Sequence, residues 1–187
     1  MFEQVIKHYP DFPKPGIDFI DVIPFLHDKK VFAEAIAELD RLCTAPNLAT
    51  VEARGFLFAS PLLSVSQHVQ TLIPIRKQGK LPFAEGDLVC VEIEKEYGHD
   101  EVYFRRSDLA ACQPTGDVIE LTLFDDLLAT GGTALGIAQA LNREVINGRR
   151  VVVKEMVFLV ELPALKGRGL LEAVAPVRSL MSLEGVE

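Results

Sequence analysis

The sequence predicts an α/β fold with a mostly parallel sheet of the doubly wound kind. Short apolar runs that suit buried strands alternate with segments whose apolar residues recur at helical spacing. The clearest junction lies at residues 120–134, where an apolar strand leads through two carboxylates and a glycine pair into an amphipathic helix. A chain of 187 residues is long enough for one domain with a sizeable core. We therefore expect a single domain over residues 1–187.

Local signals set the expected elements of the N-terminal half. Three prolines and Gly16 exclude a helix from the entry segment, and Asp28 is placed to cap the first helix. Gly79, Pro82 and Gly86 interrupt a stretch without any apolar period, which predicts a long loop with few anchors. In order, the predicted segments are an entry at 9–16, a helix at 29–42, a strand at 48–52, a helix at 56–65, a strand at 72–75 and a loop at 78–90.

The C-terminal half continues the alternation. Residues 89–97 alternate apolar and acidic side chains, as a strand with one solvated face does. A strand at 121–124 ends at the carboxylates, and the next apolar pattern predicts a helix over 133–147 that stops at Gly148. The apolar runs within 150–160 predict further buried strands. Strands separated by helices in this way favour parallel pairing.

Composition and charge limit the kinds of partner. The chain is 49% hydrophobic and 25% charged, and its net charge of −8 argues against broad nucleic-acid binding. No apolar run approaches the length of a membrane span, and residues 1–10 lack the layout of a signal peptide. The cysteines Cys43, Cys90 and Cys112 are odd in number and far apart, as expected for reduced thiols of a cytoplasmic protein.

The segment after the strand at 121–124 has the features of a phosphate site. Two glycines let the backbone approach a ligand closely, and the free N–H groups at a helix N-terminus favour an anion. Asp125 and Asp126 stand at the same sheet edge, where carboxylates suit sugar hydroxyls or a metal ion rather than phosphate. These patterns together favour a sugar phosphate as ligand. Its phosphate would be held by the loop residues Ala129, Thr130, Gly131, Gly132 and Thr133.

A glycine pair between strand and helix is also common without any ligand, so the pair by itself does not decide the function. The sequence lacks the G-x-x-x-x-G-K-[ST] loop of many nucleotide-binding proteins and the G-x-G-x-x-G pattern of dinucleotide binding. The order of strand, acidic pair and T-G-G-T is more specific than either glycine alone.

This order resembles the phosphoribosyl-diphosphate (PRPP) signature of the type I phosphoribosyltransferases. The form D-D-L-L-A-T-G-G-T-A at residues 125–134 is similar to that of the adenine phosphoribosyltransferases. Further segments resemble the same family in the same order: FPKPGIDFIDV at 12–22, VEARGFLFASPLL at 51–63, RKQGKLPF at 76–83, KEYG at 95–98 and VELPALKGRG at 160–169. The resemblance covers most of the chain.

The resemblance implies a fold and an activity. The fold would be a central, mostly parallel twisted sheet flanked by helices, with a small hood from residues 1–30 over the base and a mobile lid loop. The activity would be transfer of the 5-phosphoribosyl group from PRPP to adenine, giving AMP and pyrophosphate. A homodimer is also implied, and the crowded apolar residues of the helix at 56–65 favour it independently.

The resemblance also assigns roles to single residues. The ribose hydroxyls would be held by Asp125 and Asp126, and Mg²⁺ would be bound chiefly through the substrate, with Asp125 as the one carboxylate that could contact it. Pyrophosphate would lie near Arg54, Arg76, Lys77 and Lys80. Adenine would lie between Phe19 and Leu162, with Asp18 reading its edge through the backbone and Arg54 approaching it. In the lid, Glu96 would close over the purine and manage its proton, with Tyr97 beside it.

Two departures from the family pattern concern the hood. Asp18 stands where an apolar residue is usual, and Ile20 replaces what is often an arginine. Two alternative functions stay open at this point: transfer to another purine base, and a non-catalytic sensor of PRPP or purine. The 6-oxo bases want a donor at O6, and no lysine is placed near residues 160–162 to supply one. The intact segments 76–82 and 95–98 favour an enzyme over a sensor.

Overall fold

One large mixed sheet and one small two-stranded sheet organise the chain in the computed structural model, which describes residues 2–94 and 99–184. The strands of this described part are β1 (Lys7–Pro10), β2 (Asp18–Asp21), β3 (Asn47–Val51), β4 (Thr71–Lys77), β5 (Leu88–Glu94), β6 (His99–Arg105), β7 (Val118–Leu128), β8 (Val145–Ile146), β9 (Arg149–Glu161) and β10 (Val177–Ser182). Its α-helices are α1 (Lys29–Leu42), α2 (Arg54–Val65), α3 (Arg106–Ala110), α4 (Gly132–Asn142) and α5 (Gly167–Leu171).

The large sheet has the strand order β10-β9-β7-β3-β4-β6-β5. The first five of these strands pair in parallel, whereas β6 runs antiparallel to both β4 and β5, and the short β8 pairs antiparallel with β9. Neighbouring residues of β7 pack into two separate hydrophobic cores, one on each face of the sheet. Leu123 packs on the α4 side and Phe124 on the α1 and α2 side. The predicted doubly wound, mostly parallel architecture is therefore confirmed.

The small sheet is an antiparallel hairpin of β1 and β2 that the sequence did not reveal beyond a non-helical entry. Tyr9 pairs with Phe19 across it. Its attachment to the body is apolar, because Ile20 and the following Val22 and Phe25 are buried in the core on the α1 and α2 side. The hairpin thus stands over the main sheet on a short apolar base.

Several predicted elements are confirmed within one or two residues. Helix α1 has the predicted bounds, and the Asp28 carboxylate accepts hydrogen bonds from Lys30 N (2.8 Å) and Val31 N (3.1 Å). Strand β3 and helix α2 lie where the sequence places them. Within β5, Val91 and Ile93 are buried and Glu92 is exposed, as the alternating pattern predicts. The remainder of that predicted strand, residues 95–97, lies outside the described residues.

The predicted helix over 133–147 is wrong at its C-terminal end. Helix α4 ends at Asn142, and Val145–Ile146 forms strand β8 against β9. Asn147 (φ 51°) and Gly148 (φ 80°) both adopt left-handed backbone and make the tight turn of this hairpin. Gly148 is therefore a hairpin residue and not the helix stop, because Asn-Gly turn chemistry prevails over apolar periodicity here.

Two of the predicted strands are also too short. Strand β4 extends to Lys77, so Arg76 and Lys77 belong to the strand and do not follow it. Strand β7 runs to Leu128 through the acidic pair. Strands β6 and β10 and the short helix α3 carry no clear periodic signal, and the sequence analysis missed all three.

The polar residues inside β7 have local partners that explain them. Glu120 Oε2 lies 3.0 Å from Lys154 Nζ, and Thr122 Oγ1 donates to Glu155 Oε1 at 2.8 Å. All three cysteines carry free thiols; Cys43 and Cys112 are buried and Cys90 is exposed. Within the described part of the chain, the helices are too short or too polar to cross a membrane.

Candidate active site

The carboxyl ends of β3, β7 and β9 place the predicted site residues at one edge of the sheet. Because these strands are parallel neighbours, the turn after β3, the end of β7 and the turn after β9 lie side by side. They carry Arg54, Asp125 with Asp126, and Leu162 respectively. The hairpin of β1 and β2 adds Phe19 from above. The fold therefore brings together residues from four distant parts of the sequence.

The phosphate loop, defined as Ala129–Thr133, links the end of β7 to α4. Gly131 adopts left-handed backbone (φ 82°), and its C=O accepts the first helical bond, from Leu135 N at 2.9 Å. A small cavity of about 110 Å³ lies in front of the loop and is lined by Asp125, residues 127–134 and Phe158. A Cβ added to Gly132 would meet nothing within 4 Å, so this face of the helix N-terminus is open to a ligand. The geometry fits the predicted anion socket.

The acidic pair lies beside this cavity. Asp126 is buried, and Asp125 Oδ1 accepts a hydrogen bond from Asp126 N at 2.9 Å. Burial, followed by the negative charge of Asp126, raises the pKa of Asp125 well above its ordinary value. Burial raises the pKa of Asp126 too, although the Arg54 guanidinium works against that shift. A ligand that donates hydrogen bonds or carries positive charge would reduce the repulsion between the Asp125 and Asp126 carboxylates.

Arg54 connects the acidic pair to the hairpin. Its Nη2 lies 2.8 Å from Asp126 Oδ2, and its Nη1 donates to Ile20 C=O at 2.8 Å. The guanidinium carbon lies 5.0 Å from the centre of the Phe19 ring, within cation–π range. One side chain thus contacts both the predicted base residue and a predicted ribose residue.

Gly55 is needed for close approach at the same turn. A Cβ there would lie 2.8 Å from Thr50 Oγ1 and 3.1 Å from Asp125 Oδ1. The start of α2 can therefore pack directly against Asp125 only if this position has no side chain.

Glu52 is a site residue that the sequence analysis missed. Its carboxylate accepts hydrogen bonds from Arg76 Nε (2.8 Å) and Lys77 N (2.7 Å), while Arg76 Nη1 donates to Lys80 C=O at 3.0 Å. Burial alone would raise the pKa of Glu52, but the Lys77 N–H and the Arg76 guanidinium together hold it below its ordinary value. The predicted pyrophosphate ligand Arg76 is thus tied to the turn before Arg54, whereas Lys77 and Lys80 are exposed. The signal that the sequence offered for Glu52 is the position of this acid directly before Ala53 and Arg54.

The loop after β4 is better anchored than predicted. Arg105 Nη1 donates to Pro82 C=O at 3.1 Å, and Arg106 Nη1 donates to Gly86 C=O at 2.9 Å. Asp87 also accepts hydrogen bonds from the backbone and hydroxyl of Ser107. These partners come from the end of β6 and the start of α3, two elements that were not predicted. Glu96 and Tyr97, the predicted lid residues, lie outside the described residues.

The two residues predicted to face adenine differ in environment. Phe19 is partly buried and packs edge-on against Phe12, with ring centres 5.3 Å apart. Leu162 is 4% exposed, and its N–H donates to Leu128 C=O at 2.9 Å, which fixes the turn after β9 beside the phosphate loop. In the hairpin, Asp18 Oδ2 lies 2.7 Å from His8 Nδ1.

Comparison with known proteins agrees with this geometry. No family model matches the chain. The adenine phosphoribosyltransferase of Rhizobium meliloti (strain 1021) is 39% identical over 184 residues, which cover 96% of this chain and 93% of that protein. The chain belongs to the adenine phosphoribosyltransferase family. It is a pentosyltransferase of purine salvage that converts PRPP and adenine to AMP and pyrophosphate, as the sequence predicts.

Solved structures of adenine phosphoribosyltransferases share the fold. The enzyme from Thermoanaerobacter pseudethanolicus has a TM-score of 0.79 and 34% identity, with 97% of this chain and 98% of that chain covered. The enzyme from Saccharomyces cerevisiae, solved with an imino-altritol bisphosphate and adenine, has a TM-score of 0.73 and 29% identity over 94% of each chain. The predicted type I phosphoribosyltransferase sheet is thereby confirmed, and the two alternative functions are set aside.

Proposed function

We propose that the reaction takes place at the sheet edge around Arg54, with each substrate group in a separate subsite. The 5′-phosphate of PRPP binds the phosphate loop, Asp125 and Asp126 hold the ribose hydroxyls, and pyrophosphate lies toward Arg54. The observation that carries this arrangement is Arg54 itself, which reaches Asp126 and the Phe19 ring at the same time. A ribose at the acidic pair is then adjacent to a base at the hairpin.

Adenine binds at the hairpin in this proposal. Phe19 offers its ring, the backbone at Asp18 reads the base edge, and Leu162 borders the base from the turn after β9. The yeast relative was solved with adenine and a bisphosphate bound together, which supports adjoining sites for base and sugar phosphate. Residues 1–30, which contain the hairpin, then act as the hood of a single domain over residues 1–187.

The chemistry follows from these positions. Positive charge builds at C1′ as pyrophosphate leaves, so the residues act chiefly by positioning and by electrostatic stabilisation. The basic residues Arg76, Lys77 and Lys80 contact pyrophosphate, and closure of the lid with Tyr97 excludes water. Arg76 reaches this role from a fixed position, because Glu52 holds its guanidinium.

Enzymes of this family generally use Mg²⁺ with PRPP, and the acidic pair fits such an ion. Two adjacent carboxylates share one arginine, and burial raises the pKa of each, so a nearby cation would favour their charged form. No cluster of three or more acidic, histidine or cysteine side chains that could hold a metal occurs in residues 2–94 and 99–184. We infer that substrate oxygens and water would supply most ligands, with Asp125, which lines the cavity, as the protein carboxylate that would hold the ion. The ion would neutralise charge on departing pyrophosphate.

Glu96 is the proposed catalytic residue, because N9 of adenine must lose a proton as the glycosidic bond forms. The change Glu96→Gln keeps the shape and removes the base, so we expect kcat to fall by about 100-fold with PRPP affinity unchanged. Single-turnover kinetics and calorimetry with PRPP measure the two quantities. The matched control is Glu92→Gln, an exposed glutamate on β5, which is expected to stay near wild type. Equal chemical rates for both variants would exclude the role of Glu96.

We also propose a homodimer in the cytoplasm. Five apolar residues of α2 suggested pairing: Phe56, Leu57, Phe58, Leu62 and Leu63. Phe58 and Leu62 are buried in the core, so they cannot form the contact, whereas Leu63 is 44% exposed. Leu57 is 38% exposed and Val65 51%, and Pro61 and Val65 border an apolar groove against α1. This outward stripe on α2 supports the pairing.

Leu57→Glu is expected to dissociate the dimer at micromolar concentration, because the stripe would lose apolar area and gain a charge. Multi-angle light scattering should give twice the 20.6 kDa chain mass for the wild type and a single chain mass for the variant. Leu170→Glu, which places the same acid on an exposed leucine of α5, should remain dimeric. A fully active monomeric wild type would contradict the proposal.

A further inference from the structure

Helix α5 lies directly behind the phosphate loop. A Cβ added to Gly167 would lie 2.2 Å from Ala129 O and 2.9 Å from the Thr130 carbonyl carbon. In the opposite direction, a Cβ on Gly131 would lie 3.0 Å from Gly167 O. The two backbones are therefore in direct contact, with the Leu128 and Leu171 side chains beside them. The shape of the loop depends on where the first turn of α5 is held.

The first turn of α5 is held by a clamp, which we define as Glu161, Arg168 and Ser179. Arg168 Nε donates to Glu161 Oε1 at 2.9 Å, and its Nη2 donates to the other oxygen of the same carboxylate. Ser179 Oγ donates to Glu161 Oε2 at 2.8 Å, and Arg168 Nη1 donates to Val177 C=O at 2.7 Å. The two-pronged contact fixes both the position and the rotation of the guanidinium.

The clamp has an electrostatic component that keeps it formed. Glu161 is only 5% exposed. The hydrogen bonds from Arg168 lower the pKa of its carboxyl more than burial raises it, so this pKa lies below the ordinary value. The carboxylate is therefore charged at neutral pH. Helix α5 has five residues and begins after Lys166 in left-handed backbone (φ 58°), so it is too short to hold its own place. Its position depends on the clamp.

We propose that Glu161 and Arg168 are positioning residues for the 5′-phosphate of PRPP and AMP. By fixing Gly167 against Ala129 and Thr130, the clamp sets the curvature of the phosphate loop and aims its N–H groups at one point. Small displacements of such donors weaken binding strongly. The inference rests on the proposed placement of the phosphate in the loop and goes beyond it, since neither residue contacts the ligand.

The chain offers a matched control for the clamp. Arg178 Nη1 lies 2.9 Å from the buried Glu155 carboxylate and also donates to Leu42 C=O at 2.8 Å. Arg178 therefore links β10 to Glu155 of β9, whereas in the clamp Ser179 links β10 to Glu161 at the C-terminal end of β9. Arg178→Lys and Arg168→Lys should lower the thermal unfolding midpoint to a similar extent. Only Arg168→Lys should disturb the phosphate loop.

The experiment measures AMP and adenine binding by calorimetry, with KM for PRPP and kcat from initial rates. Arg168→Lys is expected to weaken AMP binding and raise KM for PRPP by about tenfold, with adenine affinity and kcat nearly unchanged. Glu161→Gln should act in the same direction. Gly167→Ala should weaken AMP more than tenfold, whereas Gly169→Ala, where a Cβ meets nothing within 4 Å, should bind AMP normally.

Two results separate the inference from the site assignment. If Arg168→Lys and Arg178→Lys bind AMP equally while Gly132→Val loses it, the phosphate loop is correct and the positioning role is wrong. If Gly132→Val binds AMP as well as the wild type, the loop is not the phosphate site and the inference fails with it. If Gly167→Ala binds AMP as tightly as the wild type, the argument from the contact between Gly167 and the loop is wrong.

Discussion

Gly132→Val is expected to reduce PRPP and AMP affinity by about 1000-fold while leaving the fold intact. Gly132 lines the cavity before the loop, and a Cβ added there meets nothing within 4 Å, so a valine side chain fits the free protein and takes up space beside the phosphate position. A phosphate kept out of this position loses at least two charge-assisted hydrogen bonds, which together are worth about 4 kcal/mol. Calorimetry with AMP and the thermal unfolding midpoint measure the two expected results.

The choice of Gly132 follows from the structure and not from the motif. Gly131 has φ 82° and packs on Gly167, so a side chain there would strain the backbone and lower stability as well as affinity. Gly169→Val is the control, because this exposed helical glycine also has open space around its Cβ direction. Unchanged AMP affinity in Gly132→Val would refute the phosphate site.

Arg54→Gln is expected to lower kcat/KM by about 1000-fold and also to destabilise the fold. The change leaves Asp126, which is 6% exposed, without its cation, and a buried carboxylate that loses its partner costs about 3 kcal/mol. It also removes the hydrogen bond to Ile20 C=O and the contact with the Phe19 ring, which join the hairpin to the main sheet. Steady-state kinetics and urea unfolding measure these two losses.

A second variant separates activity from stability. Arg54→Gln combined with Asp126→Asn removes the unpaired charge, so the free energy of unfolding should largely recover while activity stays low. Lys30→Gln is the control: Lys30 forms an exposed ion pair with Glu34 at 3.9 Å on α1, and its loss should change neither quantity much. If Arg54→Gln kept kcat/KM within tenfold of the wild type, Arg54 would be a structural residue only.

The strand-to-helix turn of the phosphate loop was predictable from sequence because its signals are local. The strand, the acidic pair, the two glycines and the helix start are consecutive, and each has a conformational or electrostatic reason that needs no distant partner. The same holds for α1, since Asp28 caps it through its own neighbours. Gly148 shows the limit of this reasoning: apolar spacing suggested a helix through Val145, but pairing with β9 was the deciding contact.

Arg54, Glu52 and the clamp show what sequence analysis cannot supply. Family resemblance placed Arg54 near pyrophosphate and base, but its simultaneous contact with Asp126 and Phe19 depends on how three distant segments meet. Glu52 lies in the VEARG segment, but its role is visible only through Arg76 and the Lys77 backbone. Gly167 reads as an ordinary loop glycine, yet its contact with Ala129 leaves no room for a Cβ.

The sequence by itself determined the fold class, the strand-to-helix turn at residues 129–133 and, through resemblance, the reaction. These depend on interactions between near neighbours in the chain, which leave periodic or consecutive patterns. The tertiary structure alone decided which charges are paired, which glycines are in backbone contact and which apolar residues of α2 face outward. Those properties depend on how separate segments of the chain meet, as those of Arg54 and Asp126 or of Gly167 and Ala129 do, and no local pattern encodes such a meeting.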